Sequence, residues 1–347
     1  MTTRLGYHPA LDGIRAISIL AVMLYHSGLI HGGFLGVDVF FTLSGFLITT
    51  LLIEEHAAAE RVALRDFYCR RALRLLPALV PVVIVSGVAM IATAGPARVG
   101  GMSLFVSIEE QFYLVWPPVL ALLLRRVRAR WLLVAGLLLA ALGSILLRYH
   151  LAVSGATGRR FYLGTDAHAD PILIGCATAC LVSWGYIRGG SDPSASTRWR
   201  WQAAALAAGA VLVAVLVMAR LPDDYARRGA STIVAVAAAI LIVDVLRPGS
   251  RLVPLLAWSP LVWIGKRSYA LYLWHLPVFF LAGALWASGI LEYLPSRIVP
   301  AWVITFAMAA ASYRWIEAPA LRLKSRFAAR PADRTPVAPS AAVAPAL

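Results

Sequence analysis

The chain has 347 residues, of which 60% are hydrophobic and 14% charged, with a mean hydropathy of +0.76 and a formal net charge of +15. A soluble globule of this length cannot cover so much apolar surface, so that class is excluded. Unbroken rather than alternating apolar runs favour an all-α, polytopic membrane protein over a β-barrel. The positive charge, almost all of it arginine, lies in short stretches between apolar runs, which reads as a topology signal and not as a nucleic-acid surface.

About ten transmembrane helices are expected, near residues 13–31, 34–53, 75–94, 107–124, 131–148, 170–187, 202–219, 230–246, 268–287 and 298–316. The first is expected to be an uncleaved span, because Asp12 and Arg15 interrupt its apolar start and no small-residue cleavage site follows. It carries Arg15 and His26, whose spacing puts them on one helix face about 16 Å apart along the axis. The second span returns from Gly32-Gly33-Phe34-Leu35-Gly36-Val37-Asp38, placing Asp38 in the outer half beside His26. Arg61, Arg65, Arg70, Arg71 and Arg74 crowd the connection to the third span, where Arg71 and Arg74 share a face at i, i+3.

The fourth span opens at Ser107-Ile108-Glu109-Glu110-Gln111, which puts Glu109 and Glu110 in the outer half as well. Arginines follow spans four, six, eight and ten, so ten spans with both termini cytoplasmic satisfy the positive-inside rule. In the ninth span, Pro277 follows His275 and is expected to break the helix beside a cavity. Arg314 and Glu317 close the tenth and read as an i, i+3 ion pair. Residues 1–325 form one membrane domain, and 326–347, rich in Pro and Ala, are expected to be a disordered cytoplasmic tail. Cys69, Cys176 and Cys180 support neither a disulfide framework nor a metal site, and the last two read as packing residues.

Ionisable side chains within a bilayer face protein, water or a ligand. His26 fits a general base whose tautomer is set by Asp38 or Glu110, and equally a buried histidine bonding a neighbouring helix. Asp38 also fits a cap on a glycine-rich turn. One of Glu109 and Glu110 fits a helix N-terminal carboxylate favoured by the dipole. His275 fits either a catalytic role or a structural one beside a kink. Arg15, Arg71 and Arg74 fit a polyanion site for a phosphorylated donor, since guanidinium pairs bidentately with phosphate; the plainer alternative is topology charge touching lipid headgroups.

In order along the chain, the stretches Leu11-Asp12-Gly13-Ile14-Arg15-Ala16 to Tyr25-His26, Gly32-Gly33-Phe34 to Ile48-Thr49, Arg70-Arg71-Ala72-Leu73-Arg74, Glu109-Glu110-Gln111-Phe112-Tyr113, Ser268-Tyr269 to His275, and Arg314 to Pro319 resemble the acyltransferase-3 family of membrane O-acyltransferases, which includes bacterial O-antigen and glycan O-acetylases. The resemblance implies a multi-pass protein of the plasma (inner) membrane. Its implied donor is acyl-CoA, with acetyl-CoA foremost, reached from the cytoplasm. Its implied acceptor is a hydroxyl of a glycan or glycosylated small molecule on the outer side. It also implies that Arg15 and His26 are the essential pair and that Arg71 and Arg74 form the Arg-x-x-Arg motif.

Two stretches depart from the family pattern. The segment 78–106 is short, and Thr165-Asp166-Ala167-His168 ends in histidine where relatives usually have arginine. The expected function is acyl transfer from acyl-CoA to such a hydroxyl, with His26 as catalytic base helped by Asp38 or Glu110, and with Arg15, Arg71 and Arg74 on the donor. The alternatives are a proton-coupled transporter and a non-catalytic relative with a shortened segment 78–106.

Overall fold

The computed structural model describes residues 5–94, 108–156, 160, 163–187, 195–219, 229–287 and 294–327, and among these every regular element is helical. Ten long helices carry the fold: α1 (Pro9–His26), α2 (Gly36–Ala59), α3 (Leu64–Ala94), α4 (Ile108–Arg126), α5 (Arg130–Val153), α6 (Asp170–Ser183), α7 (Ala195–Met218), α8 (Ala230–Val245), α11 (Ser268–Ala287) and α12 (Leu294–Ser312). Two short helices, α9 (Val253–Leu256) and α10 (Ser259–Lys266), precede α11. A π-helical turn (Tyr313–Glu317), α13 (Ala318–Arg322) and a 3-10 turn (Leu323–Phe327) follow α12. Each expected span falls on one long helix. By length and composition four helices are clearly able to cross a membrane: Gly33–Ala59, Leu64–Val88, Arg130–Val153 and Thr197–Met218. Asp170–Ser183 and Ala230–Val245 are apolar but shorter. The tail beyond residue 327 and residues 95–107 of the shortened segment lie outside the described residues.

The chain punctuates these helices with ordinary backbone signals. Pro9 opens α1, where its missing N–H costs nothing, and Gly28 in the left-handed region follows its last turn. Two close backbone approaches within one crossing then hold the bundle. In the seam of α2 and α6, a Cβ on Gly45 would stand 2.1 Å from the Ile172 carbonyl oxygen, and one on Gly175 2.0 Å from that of Thr42, so only glycine permits the approach. Cys176 and Cys180 are fully buried there, as packing residues should be.

Helix α2 shares one apolar cluster with α6, α7 and α8 and another with α4, α5 and α6, while α1 joins the first cluster to a third with α3, α11 and α12. The chemistry-bearing side chains of α1, α3, α4 and α11 therefore converge beside the third cluster.

Two expectations need correction. Helix α3 begins at Leu64, so Arg70, Arg71 and Arg74 stand on its first turns and not in a connecting loop. Helix α11 runs unbroken past Pro277. The ring simply removes one N–H from a helix whose neighbours hold it in place.

Candidate active site

At one end of the site, Arg15, Arg71 and Arg74 from α1 and α3 lie close enough to repel one another. Their counter-charges are loosely placed. Arg15 Nη1 is 3.7 Å from Asp12 Oδ1, and Arg71 Nη2 is 3.8 Å from Glu109 Oε1, both beyond hydrogen-bond length. Arg71 Nε is buried without a partner, and its guanidinium lies 3.4 Å from the Tyr113 ring centroid. Arg74, among the described residues, has neither a hydrogen bond nor an ion pair.

The neighbouring Arg70 is engaged, donating to Glu55 Oε2 at 3.0 Å and to the Phe327 carbonyl at 2.6 Å. That second bond seats the 3-10 turn over the start of α3 and brings up Lys324. Burial, followed by the charges of Arg74, Arg71, Arg70 and Arg15, pushes the Lys324 ammonium down to about 8. Cations gathered with donors unspent are arranged to receive an anion carrying several oxygens.

The other end is built from two imidazoles. His26 stands exposed on the last turn of α1, its ring centroid 5.0 Å from that of the fully buried His275 on α11. His26 Nδ1 donates to the Val22 carbonyl at 2.9 Å, and His275 Nδ1 to the Tyr272 carbonyl at 2.6 Å. Since a carbonyl only accepts, each Nδ1 carries the hydrogen and each neutral ring keeps its Nε2 lone pair. His275 Nε2 is buried with no partner.

Helix α11 connects the two ends. Tyr269, Tyr272 and His275 recur at i, i+3, i+6 over about 9 Å of axis. The Tyr269 hydroxyl is likewise buried and unpartnered, and both tyrosines feel the charges of Glu109 and Glu110.

Several expected partnerships are replaced. Glu109 joins Arg71, and the hydroxyls of Ser44 and Tyr113 bond its Oε1 while lying 3.0 Å from each other. It therefore belongs to the arginine end and not beside His26. Glu110 acts on Arg71, Tyr269 and Tyr272. Asp38 is fully buried, with Oδ1 bonded to His168 Nε2 at 2.6 Å. Among the described residues neither His26 nor His275 is bonded to a carboxylate, so the expected tautomer-setting by Asp38 or Glu110 gives way to a backbone carbonyl on each ring's own helix.

Arg314 does not pair with Glu317. The π turn carries i→i+5 bonding, which changes the angular step and leaves Arg314 exposed. Glu317 instead accepts from Ser312 Oγ at 3.2 Å and faces Arg74 and Arg267. Sequence reasoning missed Lys324, Ser44, Tyr113 and the Arg148–Asp170 pair. For Arg148 a signal existed, an arginine inside an apolar run, but nothing in the sequence identifies its partner across the fold.

With this geometry in view, comparison with known proteins is specific. The acyltransferase-3 family model, an acyltransferase domain, matches residues 8–313. YrhL of Bacillus subtilis (strain 168) is 33% identical over 352 residues, spanning 90% of this chain and 55% of its own length. The peptidoglycan O-acetyltransferase OatA of Listeria monocytogenes is 31% identical over 361 residues, spanning 92% of this chain and 57% of its own length. The O-acetyltransferase OatA of Staphylococcus aureus is 30% identical over 349 residues, with 90% and 57% covered. The chain thus spans little more than half the length of these relatives. No solved structure matches it.

Proposed function

The chain belongs to the acyltransferase-3 family, and from that premise we propose that it is a multi-pass plasma-membrane O-acetyltransferase with ten spans and both termini cytoplasmic. The membrane domain extends to about residue 325. The donor is acyl-CoA, with acetyl-CoA first, and the acceptor is a glycan hydroxyl. Peptidoglycan is the acceptor class that the names of two relatives point to.

One observation carries this reading: loosely paired guanidiniums stand at one end of α1 and an imidazole pair with free Nε2 atoms at the other. Arg15, Arg71 and Arg74 hold the donor's phosphates, and the thioester extends along Tyr269 and Tyr272. A sugar hydroxyl is a poor nucleophile at neutral pH. His26 Nε2 takes its proton as the oxygen attacks the thioester carbon. The C–S bond then breaks, and the imidazolium returns the proton to the leaving thiolate, so that free coenzyme A and the acetyl ester result. His275, next to His26, supports that proton transfer.

The test uses the full chain in lipid nanodiscs, with acetyl-CoA and a soluble peptidoglycan fragment. Wild type should release coenzyme A in step with ester formation, and Arg15→Ala should weaken coenzyme A binding. Proton-coupled solute flux without coenzyme A release would establish a transporter instead. Donor binding without transfer to any acceptor would establish a non-catalytic relative.

A further inference from the structure

A second, separate site lies where the residues before α1, α10, the start of α11 and the end of α12 meet. It is an open groove of about 900 Å³ whose lining includes Tyr7, Ser259, Trp263, Lys266, Arg267 and Phe306. Two adjacent cations face it, and both are partnered by rings. The Arg267 guanidinium lies between Trp263 (4.0 Å to the centroid) and Tyr313 (4.5 Å), and Lys266 Nζ lies 5.2 Å from the Tyr7 centroid. Arg267 Nη1 donates to the Trp263 carbonyl at 3.0 Å, while its Nε is buried without a partner. The nearest influential carboxylates, Glu317 for Arg267 and Asp12 for Lys266, do not come within ion-pair distance. The groove thus offers two positive charges and no anion.

Its apolar side indicates which anion fits. Trp263 stacks on Phe306 (6.4 Å, 4°) and Phe306 on Trp302 (6.2 Å, 19°), so an aromatic wall continues from the groove along α12. Beside that wall Val299, Val303 and Ile304 are 59%, 62% and 47% exposed, as lipid-facing residues would be. Trp263 already carries the Arg267 guanidinium over its ring and lies parallel to Phe306, so its aromatic contacts are with the cation and the wall. An anion with a long apolar tail matches both halves of the site.

We propose that this groove seats an anionic phospholipid, with its phosphate on Lys266 and Arg267 and an acyl chain along the Trp263–Phe306–Trp302 wall. The proposal needs only that the chain resides in a membrane and is independent of acetyl transfer. The seat adjoins the arginine end of the active site, because the Tyr7 hydroxyl donates to Asp12 Oδ2 at 2.9 Å and Asp12 faces Arg15.

Native mass spectrometry of the detergent-solubilised full chain, given equal phosphatidylglycerol and phosphatidylcholine, tests it. Wild type should retain phosphatidylglycerol preferentially. Lys266→Gln, a change at an exposed side chain, should lower that preference about fivefold, and Lys266→Gln/Arg267→Gln should bring it close to parity. Circular dichroism melting shows that each variant is folded. Three results would overturn the proposal: an unchanged preference in folded Lys266→Gln, equal retention of both lipids by wild type, or displacement of phosphatidylglycerol by added coenzyme A, which would make the groove a nucleotide seat.

Discussion

Two buried polar regions of this bundle differ in how completely their hydrogen bonds are made. Between α5, α6 and α8, Arg148 (2% exposed) and Asp170 (0% exposed) form a bidentate pair at 2.6 and 3.1 Å. Arg148 also donates to the Ala167 carbonyl at 3.1 Å and to Thr232 Oγ1 at 2.8 Å, and Thr232 donates to Asp170. Between α1, α3 and α11 the reverse holds. Among the described residues Arg74 makes no hydrogen bond or ion pair, Arg71 Nε, Tyr269 Oη and His275 Nε2 are buried and unpartnered, and the carboxylates nearest Arg15 and Arg71 stand just outside bonding reach. Unmade hydrogen bonds on buried groups cost stability, and several kept in one place support the proposed binding site there. The first region holds helices together; the second is where the proposed donor and acceptor site lies.

The contrast can be broken most severely at the second region. His26→Ala should lower the transfer rate by about 10²–10⁴-fold, the usual worth of a general base, while the thermal unfolding midpoint stays near wild type. A folded His26→Ala protein with full activity would remove the base assignment. Next in size, Arg148→Met should destabilise the fold by about 3–5 kcal/mol, because it strands Asp170 as a buried unpaired charge. The loss is read from thermal or denaturant unfolding in the same detergent, with transfer per folded molecule largely kept.

Arg74→Gln should behave the opposite way. Coenzyme A affinity should fall about 10- to 100-fold by isothermal titration, with little loss of stability, since among the described residues the guanidinium removed makes no hydrogen bond or ion pair and the repulsion of Arg15 and Arg71 outweighs the pull of Asp12 and Glu109. The smallest effect is a pH dependence. Lys324, pushed down to about 8, is charged below that pH and neutral above it, so donor affinity should weaken a few-fold between pH 7 and 9. Lys324→Gln should flatten that limb, and an unchanged slope would place the titration elsewhere.

Much of the helical layout was readable from run length alone: each of the ten expected runs overlaps a helix, and four of those helices are long and apolar enough to cross a bilayer. The shared face of Arg15 and His26 followed from helical periodicity, and so did that of Arg71 and Arg74. Depth was less legible. Glu109 was placed by assuming that its helix starts at the outer surface, whereas α4 starts low enough for Glu109 to meet Arg71 and Ser44. The arginines of α3 were assigned to a loop because positive charge marks cytoplasmic connections, although charged first turns are equally helical. Partners across the fold, such as His168 for Asp38 or Asp170 for Arg148, lie far apart in the chain, and no local pattern announces them. At the departure from the family pattern, His168 is the hydrogen-bond partner of the buried Asp38.

The backbone bonds that hold the two imidazoles have a consequence for turnover. A ring fixed through Nδ1–H keeps the same donor whether it is neutral or cationic, because protonation adds a hydrogen only at Nε2. In the proposed mechanism the base is therefore loaded and emptied in each cycle without rotating about χ1 or χ2. A carboxylate anchor would be drawn closer on every protonation, whereas a main-chain oxygen locked into a helix stays where it is, so the lone pair points in one direction throughout.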